Sequence, residues 1–300
     1  MNRARRITLL ASSAVAVAVA IALLVALAPG DRPSAAPRPT PDPAVPASRV
    51  DISTLVLPFD TYETTPYENQ VIEQAKDRLL GDCMRESGLS WTPLPVLTRS
   101  DTEGPHDRRY GLADPGVAAR YGYHLPPLSP ARKRLEAVYA DRADLPLRER
   151  NAAFGPNSST GGCWKKADER MFRGVERDQM SLLAGHSAQT FDVARRDPRV
   201  SAADKRWSAC MKKAGHTYTD SYQALGDPAW GKSKRPIARE RAVAVADVRC
   251  KRETGFLTTW IRVDQEVQNA AVRKNPALFR DLAEDRTAQL ALARKILGRS

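Results

Sequence analysis

The chain has 300 residues, a formal net charge of +12, 42% hydrophobic residues and 27% charged residues. Its 22 Pro, 17 Gly and 4 Cys exclude a collagen and a cysteine-dense miniprotein, and the hydrophobic fraction argues against a wholly disordered chain or a polytopic membrane protein. The length suffices for a hydrophobic core of ordinary size, but the composition predicts no reaction.

The first 28 residues predict a signal anchor that crosses a membrane once. Arg3, Arg5 and Arg6 precede residues 7–28, which contain no charged residue. As a helix this stretch would extend about 33 Å, enough to cross the ~30 Å hydrocarbon core of a bilayer. The flanking positive charges place the N-terminus in the cytoplasm and everything after Ala28 outside.

A cleaved signal peptide, and hence a secreted protein, is the alternative interpretation. The apolar region of a signal peptide usually has about 7–15 residues, which is shorter than the stretch found here. The candidate cleavage positions, after Ala28 and Ala36, are each followed by Pro, which obstructs the peptidase. Both interpretations place the bulk of the chain outside the cytoplasm.

Residues 29–48 predict a linker between this anchor and a folded domain. Seven Pro residues are interleaved with Ala, Ser, Arg and Asp in this stretch. Such a composition favours extended polyproline II structure. We therefore expect three parts: an anchor over residues 1–28, a linker over 29–48 and an extracytoplasmic domain over 49–300.

The four cysteines are Cys83, Cys163, Cys210 and Cys250. An even number of Cys in a domain outside the cytoplasm predicts two disulfides. The chain has no close C-x-x-C or C-x-x-H spacing, so a metal site is disfavoured and we predict neither a metal nor a cofactor. Four Cys allow three pairings, and their spacing alone does not choose among them.

An internal repeat favours one of these pairings. Residues 83–91 read CMRESGLSW and residues 210–218 read CMKKAGHTY, and both contain a Gly that suits a helix C-cap. Each copy is followed later by one further Cys. We therefore predict the disulfides Cys83–Cys163 and Cys210–Cys250, each of which links two helices. The repeat also suggests an alternative to one undivided domain, namely a domain of two related halves.

Apolar spacing predicts a mainly α domain. The helices are predicted to begin at Thr65-Pro66, Ser129-Pro130, Cys163, Pro236, Phe256 and Asn275-Pro276, and a further helix is predicted around Trp207 to Ala214. The helix after Cys163 has an apolar stripe from Trp164 to Val175, and the last helix has an inward-facing stripe that ends at Leu297. Strand-like alternation is scarce. Residues 92–130 are rich in Pro and Gly and predict an irregular insert.

Three segments resemble a known group of proteins. They read RRYGLADPGVAARYGYH (108–124), WSACMKKAGHTY (207–218) and AVAVADVRC (242–250). The chain resembles uncharacterised secreted or membrane-anchored proteins of high-GC Gram-positive bacteria that share a W-x-x-C-M-x-x-x-G-x-x-Y motif. The resemblance implies an extracytoplasmic location and the cysteine framework, and it supplies no catalytic residue.

Two local patterns suggest chemistry. Residues 226–233 match G-x-x-x-x-G-K-[ST], but no buried strand precedes them and Pro236 follows, so we do not predict a phosphate-binding loop. His124, in the sequence RYGYH, has aromatic and cationic neighbours. An extracytoplasmic enzyme such as a cell-wall hydrolase, with a site around His124, is therefore one functional alternative.

The leading prediction is a non-catalytic, envelope-facing binding or accessory protein. Its positive charge, clustered at residues 232–235 and 239–241, would attract anionic cell-wall polymers, and another envelope protein is the second partner considered. The predicted compartment disfavours nucleic acid. A structural spacer is the remaining alternative.

Overall fold

The structure is a computed structural model that describes residues 50–156, 161–175 and 177–299. The predicted membrane anchor (residues 1–28) and the Pro-rich linker (residues 29–48) lie outside the described residues. Within the described ranges, no helix combines the length and the apolar character that crossing a bilayer requires.

The described part of the chain is mainly helical and contains no β-strand, in agreement with the predicted fold class. The helices are α1 Pro66–Glu86, α2 Pro115–Tyr121, α3 Pro130–Ala143, α4 Leu147–Phe154, α5 Gly162–Met171, α6 Arg177–Arg195, α7 Pro198–Lys213, α8 Ser221–Leu225, α9 Ala238–Glu253, α10 Phe256–Lys274 and α11 Pro276–Ile296. By their contacts, the described residues form one compact unit.

Helix α1 begins where the sequence predicts. The Thr65 hydroxyl accepts a hydrogen bond from the Glu68 backbone N–H at 3.2 Å, and the Glu68 carboxylate accepts one from the Thr65 backbone N–H at 2.9 Å. This capping box satisfies N–H groups that a helix leaves unpaired, and Pro66 needs no N–H at the first position. Arg286 of α11 donates to both Glu68 carboxylate oxygens, so the start of α1 is attached to α11.

The first group of helices surrounds α1. This helix packs on α5, α11 and α4. The buried apolar side chains that α1 contributes to these contacts are Val71, Ile72, Ala75, Leu80 and Met84. Val71, Ile72 and Ala75 join one core cluster with residues of α5 and α11, whereas Leu80 and Met84 join a second with residues of α4 and α5, so α1 is buried on more than one side.

The second group of helices surrounds α10. This helix packs on α6, α7 and α9, and α9 packs on α2. Trp260 lies at the centre, with its ring centroid 5.4–5.8 Å from those of four aromatic residues, namely Tyr110, Phe191, Tyr222 and Phe256. Such an aromatic cluster removes a large apolar area from water and fixes the relative positions of the helices.

The two disulfides are Cys83–Cys163 and Cys210–Cys250, the pairs that the repeat favours. Both have a Cα–Cα distance of 5.6 Å. The first links α1 to the start of α5, and the second links α7 to the end of α9. Cys83 and Cys210 both lie near the end of their helices, whereas Cys163 lies at the start of α5 and Cys250 near the end of α9. The similarity between the two copies therefore covers only the first helix of each disulfide-linked pair.

The repeated sequence forms the same helix end twice. After α1, the backbone N–H groups of Gly88 and Leu89 donate to the carbonyls of Arg85 and Met84 at 2.9 and 3.0 Å. After α7, the N–H groups of Gly215 and His216 donate to the carbonyls of Lys212 and Met211 at 3.0 and 2.9 Å. Both ends are Schellman motifs, which require a residue of positive φ after the helix.

The structure corrects several predicted elements. The insert over residues 92–130 is not wholly irregular, because Asp114 caps the short helix α2 and Tyr110, Leu112 and Tyr123 are buried. The helix after Cys163 ends at Met171, so Val175 lies beyond it. Helix α9 begins at Ala238 rather than at Pro236.

Other differences concern elements without a predicted counterpart and the last turn of the chain. Helices α4, α6 and α8 were not predicted from the sequence, because their short or partly polar inward faces give a weak apolar period. Leu297 lies just after the end of the last helix and is half-buried, and it packs against the core as expected.

Candidate functional site

Residues 108–124 lie against buried acidic side chains of α9 and α10. The Arg109 guanidinium donates from Nε to Asp264 Oδ2 at 2.6 Å and from Nη2 to Oδ1 at 3.1 Å. The Tyr110 hydroxyl donates to Oδ2 at 2.7 Å, and Gln268 Nε2 donates to Oδ1 at 2.8 Å. The Asp264 carboxylate is fully buried and accepts four hydrogen bonds, which offset the cost of removing its charge from water.

A second buried carboxylate, that of Asp247 on α9, connects the same segment to α7. It accepts hydrogen bonds from Trp207 Nε1 at 2.9 Å, from the Tyr123 hydroxyl at 3.2 Å and from Lys251 Nζ at 3.1 Å. Lys251 Nζ also donates to the Leu112 carbonyl at 2.8 Å. Burial raises the pKa of Asp247, whereas the Lys251 ammonium and the hydrogen bonds lower it.

His124 belongs to a third such group. Glu240 is fully buried, and its Oε1 accepts hydrogen bonds from the Tyr123 and His124 backbone N–H groups at 2.8 and 3.1 Å. The His124 ring contacts the same oxygen through Nδ1 at 2.7 Å, and its Nε2 lies 2.9 Å from the Ser233 carbonyl oxygen. Hydrogen bonds to the Glu240 carboxylate and to the Ser233 carbonyl raise the pKa of His124.

These contacts assign His124 a structural role. A carbonyl oxygen only accepts, so Nε2 must carry a proton, and the carboxylate favours a proton on Nδ1 as well. A doubly protonated ring has no free lone pair with which to act as a general base. The geometry therefore disfavours an enzyme site built on His124.

The segment that matches the phosphate-loop pattern has a different local structure. Helix α8 precedes it instead of a strand, Trp230–Lys232 form a 3-10 turn, and the next helix begins only at Ala238. Trp230 is buried, and its Nε1 donates to the Ala224 carbonyl at 2.8 Å. The backbone N–H groups of residues 226–233 are therefore not arranged at a helix N-terminus, as phosphate binding of this type requires.

Two other histidines contact residues of the fold. His106 is buried with Nε2 2.9 Å from Asp60 Oδ2, and His186 lies beside Phe279 with ring centroids 5.9 Å apart. Within the described ranges, no three His, Cys, Asp or Glu side chains are placed to hold a metal ion.

A cleft with mixed aromatic and charged walls opens among α1, α3, α4 and α5. Its volume is about 480 Å³, within the ~300–1,000 Å³ typical of small-molecule sites. Tyr139 of α3, Phe154 of α4 and Trp164 of α5 supply its aromatic rings. Tyr139 is 44% exposed, so the cleft wall continues to the protein surface. We call this feature the aromatic cleft.

Three cationic side chains line the aromatic cleft, and two of them are already paired. Arg142 donates to the buried Asp77 carboxylate at 2.6 Å and stacks over Trp91, with its Cζ 4.2 Å from the ring centroid. Lys76 Nζ lies 2.8 Å from Glu73 Oε1. The Arg150 guanidinium has no hydrogen-bond or ion-pair partner among the residues that the structure describes.

The basic clusters singled out in the sequence lie elsewhere. Lys232, Lys234, Arg235 and Arg239 are exposed around the turn that precedes α9. The Arg239 guanidinium lies over the Trp230 ring at 5.9 Å. These charges form a solvated surface rather than a cavity and add a general attraction for anions.

The sequence did not predict the aromatic cleft. Its residues come from four helices and from Leu94 in the segment after α1, and only folding brings them together. Trp164 falls in an apolar stripe that predicts a core position; it packs against the core, but it is only half-buried and also lines the cleft. A Trp followed directly by two Lys at a helix start is the one local sign that this position lies at the edge of the core.

Comparison with protein-family models, with curated proteins and with solved structures finds no match to this chain.

Proposed function

We propose that the protein is a non-catalytic binding or accessory protein of the cell envelope. In this proposal residues 7–28 hold it in the cell membrane with the N-terminus in the cytoplasm, or are removed during export. The domain over residues 49–300 then faces the envelope, where its ligand is an anionic cell-wall polymer.

The aromatic cleft is the observation that supports binding. The buried ionic groups around Asp264, Asp247 and Glu240 are engaged with protein donors, and they hold the fold together. The aromatic cleft instead presents three aromatic rings and one unpaired guanidinium to solvent. Accessible aromatic and Arg side chains in a concave site are typical of ligand recognition.

The two disulfides support the location. Both link helices within the domain, and stable disulfides form in oxidising compartments outside the cytoplasm. Protein recovered from native cells is expected in the membrane fraction with all four thiols oxidised. Four free thiols by mass spectrometry, or recovery from the cytosol, would contradict this location.

The binding proposal is tested with the full-length protein and insoluble cell-wall fragments. We expect retention at about 0.05 M salt and much weaker retention at about 0.5 M salt, because screening reduces attraction between exposed charges. Arg150→Gln should reduce retention. Arg148→Gln removes the same charge from an exposed position outside the cleft, two residues away, and serves as the matched control.

Other outcomes favour other functions. Equal losses in the two Arg variants would indicate attraction by net charge alone and contradict a cleft-based function. Co-purification of a defined envelope protein without wall retention would favour a protein partner instead. Absence of both would leave the structural spacer as the better explanation.

A further inference from the structure

We propose that the aromatic cleft binds a carboxylate-bearing sugar unit, that is, an acidic saccharide within the wall polymer. This inference rests on the proposed function and names the chemistry that the site recognises. It depends on the arrangement of the aromatic rings, on the single unpaired cation and on the accessible acceptor beside them.

The aromatic rings fit a sugar better than they fit an extended ionic chain. Tyr139, Phe154 and Trp164 come from three different helices and line one cavity. Aromatic faces are flat and apolar with a partial negative charge, so the C–H face of a sugar ring packs on them favourably. Lys76 Nζ lies over the Trp164 ring at 5.2 Å and Arg142 Cζ over the Tyr139 ring at 5.9 Å. The sugar therefore packs on the ring faces opposite these cations. A helical scaffold also holds these rings in place, which lowers the entropy cost of binding.

The charges of the cleft fit one carboxylate. Arg142 and Lys76 are fixed by Asp77 and Glu73, so their charges are largely compensated. Arg150 is the remaining cation of the cleft lining, and a guanidinium pairs with a carboxylate through two parallel hydrogen bonds. A polyphosphate chain needs a row of unpaired cations, which the described cleft residues do not provide.

The opening also offers hydrogen-bond partners for hydroxyl groups. Glu73 has 41% of its side-chain surface exposed, and only its Oε1 is bonded to Lys76. Its second oxygen is available to accept from a sugar hydroxyl, while Arg150 donates. Aromatic faces, one free cation and one accessible carboxylate together match the groups of an acidic sugar.

The test uses the full-length protein and a short oligosaccharide of glucuronic acid as the probe. Binding is followed by calorimetry and by tryptophan fluorescence, because Trp91 and Trp164 lie at or next to the cleft. We expect saturable binding, with a glucose oligosaccharide of equal length and a glycerol-phosphate oligomer binding at least tenfold more weakly. Equal or tighter binding of either control would overturn the proposed ligand class.

Variants localise the binding. Arg150→Gln and Tyr139→Ala should each weaken glucuronic acid binding about tenfold or more, and Arg148→Gln should leave it unchanged. Tyr139 is 44% exposed and lies outside the buried core, so its replacement should preserve the fold, and thermal melts of all variants check this. Unchanged binding in both cleft variants would overturn the assignment of the site.

The outcomes separate this inference from the proposed function. Salt-sensitive wall retention that depends on Arg150, without binding of the glucuronic acid probe, would refute the acidic sugar and leave envelope binding in place. If the unaltered protein shows neither wall retention nor probe binding, both proposals are refuted.

Discussion

Asp204 shows how one residue can oppose folding at neutral pH. It lies on α7, and its Oδ1 is buried without a partner among the described residues. Burial and the neighbouring Asp220 carboxylate raise the pKa of Asp204 to about 6, against the opposing effects of the Ser221 backbone N–H and Arg195. The folded state therefore holds a proton more tightly than the unfolded state, and ionised Asp204 destabilises the fold above this pH.

Asp204→Asn should therefore increase stability at pH 7.5. A pKa rise of two units corresponds to about 3 kcal/mol, and partial exposure reduces the expected gain to roughly 1 kcal/mol. The gain should shrink as the pH falls through about 6 and approach zero near pH 4, because wild-type Asp204 is then neutral in the folded state.

Denaturant unfolding of both proteins at several pH values measures this effect. Asp141→Asn, at an exposed position of α3, is the control and should change stability by less than about 0.5 kcal/mol at any pH. A gain for Asp204→Asn that is independent of pH would show that the charge of Asp204 is not the cause.

At the scale of elements, the two Schellman motifs allow a paired prediction. Gly88 and Gly215 have φ of +69° and +85°, and a Cβ built on either residue meets no atom within 4 Å. Replacement by Ala therefore introduces backbone strain without a steric clash. Left-handed backbone costs a non-glycine residue roughly 1–2 kcal/mol, so Gly88→Ala and Gly215→Ala should destabilise by similar amounts.

Gly185 supplies the opposite control. It lies in the exposed middle of α6, its φ is not positive, and an added Cβ meets no atom within 4 Å. Gly185→Ala should stabilise by about 0.5–1 kcal/mol, because Ala is the better helix former. The midpoint of chemical denaturation measures all three variants. If all three midpoints shift in the same direction, the assigned role of positive φ is contradicted.

Helix starts were the elements best predicted from the sequence. Thr65, Ser129 and Asn275 each precede a Pro at the first helical position, and α1, α3 and α11 begin there. These signals are local, since a cap and its Pro act within one turn. Helix α2 shows the same Asp114-Pro115 signal, but its seven residues are too few for an apolar period to be recognised.

The elements that were missed depend on contacts far along the chain. Helix α6 buries Leu183, Thr190 and Ala194, a face that is partly polar and gives little periodic signal. The aromatic cleft combines residues of four helices, and Arg150 alone is indistinguishable in sequence from a solvated surface residue. The relation of the two repeated halves stays a prediction, because only their first helices share an ending.

At the scale of the whole molecule, residues 108–124, α7, α9 and α10 meet at two buried carboxylates. Residues 108–124 supply Arg109, Tyr110 and Tyr123, and α7 supplies Trp207. Their acceptors, Asp264 and Asp247, lie on α10 and α9 and are fully buried. Segments far apart in sequence are thus held together by specific hydrogen bonds.

The buried Lys251–Asp247 pair is expected to stabilise the whole fold. Both side chains are fully buried, and Lys251 Nζ bonds to Asp247 at 3.1 Å and to the Leu112 carbonyl at 2.8 Å. Lys251→Met would leave a buried carboxylate without its counter-charge and a buried carbonyl without its donor. Breaking a buried pair in this way costs about 3–5 kcal/mol.

Lys165→Met is the matched control, because Lys165 pairs with Glu169 at 3.7 Å with about 60% of both side chains exposed. An exposed pair contributes roughly 0–1 kcal/mol, so this variant should unfold at nearly the wild-type denaturant concentration. Adding Asp247→Asn to Lys251→Met should recover part of the loss, since the uncompensated charge is then removed. If Lys251→Met costs no more than Lys165→Met, the buried Lys251–Asp247 pair does not hold residues 108–124 against α9.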